Sequence, residues 1–346
     1  MPKNKFVRCL TAMKFIGKFL LTNPLPILKS LNIFQYKTKA ASLSLLFQIL
    51  PFIEGKPYDI IHCQFGVLGP EGVHIKQVLG GAIKLVTSFR GYDATKILQR
   101  EPRLYDELFE TGDLFLPVSQ SLKDRVVIHG CPQEKIAVLP SGIDCEKFPS
   151  PESRDSEDKP ITLITVARLV EKKGIAYAIE AAARVLKAGR LIRYVIIGEG
   201  RLREGLEQSI DKFGLQGHVQ LLGRKNHKEV VQYLRKAHIL IAPSMTTKEG
   251  DQEGIPNVLK EAMVLGLPVI STYHGGIPEL VEDGVSGFLV KEKDVESMAE
   301  KIMYLIDHPK VRESIGQVGR AHIQKNYDIQ KLNDRLEDLY EQLIGK

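Results

Sequence analysis

Apolar and polar positions alternate along this chain with two different periods. From residue 161 onward the runs ITLITVA (161–167), IRYVIIG (192–198), HVQLL (218–222), HILIAPS (238–244), PVIST (268–272) and GFLV (287–290) are short and mostly apolar. Between them, at 172–189, 201–213, 227–237, 256–266 and 294–307, apolar residues recur at every third or fourth position. Short apolar runs are strands buried on both faces, and the three-to-four spacing is that of helices with one buried stripe. Strands alternating with helices predict βαβ units and a parallel sheet covered on both faces. The first half repeats this less cleanly, with strand-like runs at 58–63 (YDIIHC), 82–87 (AIKLVT) and Leu114–Val118. The chain therefore reads as α/β, with two Rossmann-like domains. The stretch 149–160, PSPESRDSEDKP, is charged and rich in Pro and Ser, the composition of a linker. The expected division is a first domain over 1–150, a linker over 151–160 and a second domain over 161–327. A last segment, 328–346, has an amphipathic helical pattern from Ile329 to Ile344 and is expected to cross to the first domain. In such sheets ligands bind at the carboxyl ends of the strands, here facing the cleft between domains.

The first residues follow a third pattern. Polar positions at Lys5, Arg8, Thr11, Lys14 and Lys18 separate Phe6, Val7, Leu10, Met13, Phe15, Ile16, Phe19 and Leu20, and Asn23-Pro24 stops the run. A basic stripe on an otherwise apolar helix fits the headgroup region of an anionic membrane. It also fits a domain core that takes up the wide apolar face, which is the simpler reading, and the two are compatible. Charge sharpens the point. Lys3, Lys5, Arg8, Lys14, Lys18, Lys29, Lys37 and Lys39 all precede the first acidic residue, Glu54. The whole chain carries +6, so with +8 in its first 50 residues the remainder is at −2. A near-neutral body with a basic start lacks the spread positive face that nucleic-acid binding needs. Peripheral membrane contact through residues 1–22, with the chain in the cytoplasm at the inner face of the cell membrane, is the corresponding expectation. Arg8, Lys14 and Lys18 interrupt the run and argue against a signal peptide, and no apolar run reaches the ~18–20 residues of a span.

Composition narrows the class without naming it. At 43% hydrophobic and 26% charged, the chain is an ordinary globular protein. Its four cysteines (Cys9, Cys63, Cys131, Cys145) form no C-x-x-C pair, so neither a disulfide framework nor a zinc site is expected, and a reducing compartment is.

Candidate chemistry gathers at the predicted strand ends of the second half. Glu253-Gly254-Ile255-Pro256-Asn257-Val258-Leu259-Lys260-Glu261 leads from a polar loop into a helix, with Pro256 suited to its first turn. Free N–H groups from Gly254 to Asn257 would point at an anion, as helix N-termini do for phosphates. Glu253 and Glu261, one before the helix and one inside it, would hold sugar hydroxyls and a ribose diol; a solvated charge pair is the plain alternative. Arg168 follows the strand 162–167 and Lys173-Gly174 opens the next helix, so two fixed cations would meet a diphosphate at this edge. Singly, each would read as a surface cation; together with the helix N-terminus they read as a phosphate site. Ile197-Gly198-Glu199-Gly200 offers a tight turn, but Arg203 takes the third glycine's place in a dinucleotide fingerprint, which leaves that site weakly supported. His274-Gly275-Gly276 is a further loop at the same edge, equally a phosphate-facing or sugar-facing backbone or a simple turn. In the first half, Phe89-Arg90-Gly91-Tyr92-Asp93 and Ser119 follow strands, and His62, on a strand, reads as a core or supporting residue rather than a catalyst.

Together these motifs resemble glycosyltransferase family 4, retaining enzymes of the GT-B fold. The resemblance runs from about Tyr58 to the C-terminus. Glu253 and Glu261 match the family's Glu-x7-Glu motif, and Arg168 through Lys173-Gly174 matches its diphosphate-binding element. Val118-Ser119, Ser141-Gly142-Ile143-Asp144, and Gly266-Leu267-Pro268-Val269 through Gly287-Phe288-Leu289-Val290 fit the pattern between them. The resemblance implies that Arg168 and Lys173 hold the nucleotide diphosphate, that Glu261 binds the ribose and that Glu253 touches the donor sugar. The loop TKEGDQEGIPNVLKEAM is similar to the branch that builds colanic acid and other exopolysaccharides. Two departures stand out. Arg90 occupies the place of a family histidine, with Asp93 kept, and residues 1–50 lack the opening strand and glycine-rich loop, as in a truncated start or a lineage that lost them.

The implied reaction moves a hexose from a nucleoside-diphosphate sugar, a UDP-hexose by expectation, to a hydroxyl of a glycolipid or lipid-linked oligosaccharide, with retention. Glu253, Arg168, Lys173 and Asp93 are the expected catalytic residues. Arg168, Lys173, Gly198, Gly254, Ile255, Pro256, Asn257, Val258 and Glu261 are the expected nucleotide-sugar contacts. No cofactor and no metal are expected, because the cations replace it and no Asp-x-Asp pair is present. The rival readings are a non-catalytic nucleotide-sugar-binding homologue, a nucleotide-sugar epimerase and an NAD-dependent oxidoreductase.

Overall fold

The structure is a computed structural model and describes residues 1–55, 57–148 and 160–345; of the expected linker 151–160, all but Pro160 lie outside them. Two parallel sheets organise the chain. The first has three strands, β1 (Ile60–Cys63), β2 (Lys84–Phe89) and β3 (Leu114–Pro117), in that order. The second has six: β4 (Ile161–Val166), β5 (Ile192–Ile197), β6 (Val219–Leu221), β7 (Ile239–Ala242), β8 (Val269–Thr272) and β9 (Phe288–Val290), ordered β6-β5-β4-β7-β8-β9. Every pairing is parallel, so the architecture is two Rossmann-like α/β domains, the fold class expected from the sequence.

The second sheet is buried on both faces because its strands are apolar at odd and even positions alike. Leu163, Tyr194, Ile196 and Ile239 pack on one side with Ala178, Ile179 and Ile302 of flanking helices. Ile164, Val195, Leu240 and Val269 pack on the other with Leu259, Met263 and Ile323. The order reverses between β4 and β7, whose carboxyl ends open toward the first domain. In the first sheet one face packs Ile61, Leu85, Phe89 and Phe115 against its own domain. The other, with Val86, Leu114 and Leu116, is covered by Leu336, Leu339, Tyr340 and Leu343 of the final helix, Ile329–Ile344.

Two strands of backbone carry the chain between domains, and they touch. Ile143 N–H donates to the Tyr327 carbonyl (2.9 Å) and Ile329 N–H donates to the Ile143 carbonyl (2.9 Å).

Ahead of the first sheet lie four helices, α1 (Lys5–Phe19), α2 (Pro24–Ser30), α3 (Ile33–Ala41) and α4 (Ser44–Ile53), built around Ala12, Phe19, Ile27, Tyr36, Leu45, Leu46 and Ile49. The sequence pattern had marked only α1. Its apolar residues divide between two faces: Ala12 and Phe19 are buried, while Phe6, Leu10 and Met13 face solvent. Leu21 (91% exposed), Leu25, Leu28 and Phe34 (92% exposed) extend that apolar surface beyond residue 22. Among the described residues no helix is long and apolar enough to cross a membrane.

Candidate functional site

A cleft of about 340 Å³ lies between the domains at the carboxyl end of the second sheet. Arg168, Lys173, Glu253, Gly254, Ile255, Pro256, Asn257 and Val258 line its second-domain wall, together with Val166 and Ala167 at the end of β4. The first domain supplies Arg90, Gly91 and Val118, and the crossing strand supplies Ser141. Seven of the nine residues expected to contact a nucleotide sugar, with Glu253 beside them, are thus brought to one wall.

The helix behind that wall, Asn257–Val264, starts without a side-chain cap, with Pro256 extended at its N-cap position. Its first N–H groups therefore have no side-chain acceptor within the chain and face the cleft, where a negative group would satisfy them and gain from the helix dipole. Across from them, Lys173 Nζ lies 3.0 Å from Glu253 Oε1 and Lys172 Nζ lies 3.5 Å from it; Lys172 also meets Asp251 at 3.2 Å. Burial pushes the Glu253 carboxyl up, but the two lysines outweigh it and hold the group below the usual carboxylate range. Glu253 is also fixed through its backbone. Its N–H donates to His274 Nε2 (3.0 Å), which makes that nitrogen the acceptor and places the ring proton on Nδ1, 2.6 Å from Glu292. Glu292 in turn accepts from the Thr246 N–H and hydroxyl, both at 3.0 Å, so one buried histidine ties both ends of the polar loop 246–253. The His274-Gly275-Gly276 loop thus acts on the cleft through its imidazole, a role the glycines had obscured.

Gly91 and Gly254 explain how the domains come so close. A side chain at Gly91 would meet the Gln252 carbonyl at 2.5 Å and the Gly254 nitrogen at 2.8 Å. Around this contact Arg125 Nη2 donates to Gln252 Oε1 (2.7 Å), and Glu279 accepts from the N–H groups of Gln120 and Ser121 (2.7 and 2.9 Å) at the start of the helix Gln120–Ile128.

Three expected site residues stand away from the cleft wall. Asp93 is 1% exposed, and its Oδ2 accepts from the backbone N–H groups of Gly66 and Arg90, both at 3.1 Å. Burial raises its pKa against those bonds. In this structure its carboxylate holds the loop that carries Arg90 and stands away from the cleft wall where the sequence placed it as a catalytic residue. Gly198 (φ 147°) sits behind the wall, where any Cβ would meet the Ala167 carbonyl at 1.8 Å; its glycine is a packing requirement of adjacent strand ends. Glu261 lies one turn deeper, with its carboxylate 3.5 Å from His227 Nε2. His62 bonds Tyr340 OH (2.5 Å) and Ser88 Oγ (2.8 Å) beneath the final helix, and burial together with Arg90 pushes its pKa down to about 4, so it remains neutral.

Sequence reasoning passed over Ser141 as a wall residue and Lys260 altogether. A partial signal for Lys260 was present: it follows Leu259 and lies one turn before Met263 and Val264, apolar residues of the same helix that are buried, as it is. Among the described residues no group of three or more His, Cys, Asp and Glu side chains is placed to hold a metal ion.

A family model described as Glycosyl transferases group 1 matches residues 146–322, and one described as Glycosyltransferase Family 4 matches residues 16–147. The chain is 36% identical over 320 residues to the amylovoran biosynthesis glycosyltransferase AmsK of Erwinia amylovora, covering 91% of this chain and 78% of that protein. It is 36% identical over 291 residues to the putative colanic acid biosynthesis glycosyltransferase WcaL of Escherichia coli K12, covering 82% and 71%. Among solved structures, Anabaena HepE in complex with UDP and glucose superposes with a TM-score of 0.75 at 20% identity, covering 89% of this chain and 82% of that one. Sucrose-phosphate synthase of Thermosynechococcus elongatus does so with 0.74 at 19% identity, covering 91% and 79%. At such identities the structural likeness speaks to the fold.

Proposed function

This chain belongs to the group 1 and family 4 glycosyltransferases, and from that premise we propose that it moves a hexose from a nucleoside-diphosphate sugar to a hydroxyl of a lipid-linked saccharide in exopolysaccharide assembly, with retention of configuration. The observation that carries this reading is the coincidence of two cations, Arg168 and Lys173, with an uncapped helix N-terminus on one wall of the cleft. That wall suits a diphosphate whose negative charge grows as the bond to the sugar breaks. The anomeric carbon loses its bond to the phosphate oxygen and gains one to the acceptor oxygen on the same face, and the departing phosphate takes the acceptor's proton. Lys173, now paired with Glu253, exchanges that partner for the diphosphate and leaves Glu253 to accept from the sugar hydroxyls. Glu261 is assigned to the ribose. Positive charge comes from side chains and backbone, so the reading includes no metal. AmsK and WcaL, named for amylovoran and colanic acid biosynthesis, support the polymer class, and the UDP and glucose in HepE support a UDP-hexose.

A lipid-linked acceptor lies at a membrane surface, and the basic, apolar face of α1, residues 1–22, is the part we assign to that contact, at the cytoplasmic side. Calorimetry with UDP-, GDP- and ADP-hexoses is expected to give saturable binding to one of them, weakened by Glu261→Ala. Transfer to a membrane-extract acceptor followed by NMR of the anomeric proton is expected to show the donor's configuration. Absence of binding to all three donors would overturn the donor reading, and an inverted product would overturn retention.

A further inference from the structure

We propose that Lys260 is a positioning residue for the transfer reaction, pinning the two interdomain crossings together and fixing Ser141 at the wall of the cleft. Lys260 is fully buried, a rare state for a lysine, since removing an ammonium from water is costly unless oxygen atoms replace the solvent. Here the replacements come from the crossings. Nζ donates to the Ser141 carbonyl and to Ser141 Oγ (2.8 Å), and it stands 5.9 Å from the centre of the Tyr327 ring. Ser141 is on the crossing that leaves the first domain, and Tyr327 is on the one that returns to it. The two are hydrogen-bonded to each other through Ile143, and a side chain at Gly142 would strike Ile329 Cα at 2.8 Å. One ammonium from the second domain therefore holds the outgoing backbone directly and stands over a ring of the returning one, to which that backbone is itself bonded.

The pin continues into the cleft. Because Ser141 Oγ accepts from Lys260, its own proton is left for Asn257 Oδ1, 3.2 Å away. That sets the amide of Asn257, so its Nδ2 points away from Ser141. Ser141 and Asn257 both line the cleft, one on the crossing and one at the helix N-terminus proposed to face the diphosphate. The charges facing Lys260 are Glu261 on its own helix, which favours the ammonium, and Arg90 from the first domain, which opposes it. A group in this place sets how the first-domain wall stands against the donor wall. Misplacement of reacting groups by about 1 Å lowers turnover by about 100-fold.

The inference rests on the transferase reading, and its test separates the two. Lys260→Met keeps the chain length and removes charge and donors. Among folded protein, kcat is expected to fall about 10- to 100-fold while donor affinity by calorimetry changes less than about 3-fold, since Arg168, Lys173 and Glu253 all stand on the second domain. Ser141→Ala keeps the lysine and is expected to reproduce part of the loss, and the double variant to lose no more than Lys260→Met alone. Unchanged kcat in folded Lys260→Met, or fully additive losses, overturns the proposal; if that variant does not fold, unchanged kcat in Ser141→Ala overturns it. Should the parent chain transfer no sugar at all, the transferase reading fails first. Small-angle scattering then decides: broader interdomain distances in Lys260→Met support the pin, and superimposable curves overturn it.

Discussion

The second sheet is covered on both faces by helices interleaved with its own strands or following closely, whereas the first takes one of its covers from the far end of the chain. Six strands of the second domain lie between two apolar layers, and the charged groups at their carboxyl ends are paired, Lys172 and Lys173 with Asp251 and Glu253. The first domain has three strands and four helices ahead of them whose outer face leaves Phe6, Leu10, Met13, Leu21 and Phe34 in water. Under the proposed function, the difference separates two tasks. A rigid, doubly covered sheet keeps cations and helix N–H groups fixed relative to a small anion. A thinner domain with a bare apolar and basic face has surface left over for something outside the molecule.

The sharpest break in that comparison would come from the core of the second sheet. Leu163 is wholly buried in the central strand, and Leu163→Ala is expected to destabilise the protein by about 2–5 kcal/mol in urea titration; a loss under 1 kcal/mol would mean the sheet is less tightly covered than described. Next comes the cleft. Lys173→Ala should lower turnover by about 100-fold or more, the effect of removing one group that meets developing charge, and normal turnover in a radiolabelled-donor assay would remove the diphosphate from this wall.

Acidity tests the pin between the domains. Burial pushes the Lys260 ammonium down to about 7, against Glu261 and with Arg90. An unfolded lysine keeps its proton to about 10.4. Between those values the unfolded chain binds more protons, so stability through this group rises with pH, by at most about 1.4 kcal/mol per unit. Relative to the parent, Lys260→Met should lose that rise between pH 7 and 9.5 in denaturant midpoints, and parallel curves would mean the ammonium stays charged throughout. At the other domain, Lys14→Glu with Lys18→Glu should reduce flotation with anionic liposomes, each lysine near such a surface contributing about 1 kcal/mol; equal flotation would leave α1 as a core helix only. The smallest effect is expected at Phe34, 92% exposed, where Phe34→Ser should change stability by no more than about 0.5 kcal/mol. A larger loss would reveal a buried neighbour for this face.

Much of the second domain was legible because burial on both faces writes itself as unbroken apolar runs, and all six strands fall within the runs read from the sequence. The Glu253-to-Glu261 segment was legible for a related reason: an uncapped helix start at a cleft is marked by Gly, Pro and a free first turn, and these are sequence features. The helices α2 to α4 were not, since each is short and amphipathic only with respect to the others. Asp93 is expected to be catalytic because it keeps its place in the family's motif, and a motif records position without direction. Whether such a carboxylate faces the cleft or turns back to the N–H groups of Gly66 and Arg90 depends on where residue 66 lies in space.

The sequence by itself thus determined the two α/β domains, the family and most of the residues that line the second-domain wall of the cleft, because strand period, turn chemistry and helix starts are set by residues close together in the chain. Only the tertiary structure decided what His274, Lys260, Ser141 and Asp93 do. Each of them takes its role from a partner far away in sequence: Glu253 for His274, Ser141 for Lys260, and Gly66 for Asp93. Burial and hydrogen bonding between such partners exist only once the domains have packed, and no local pattern records them.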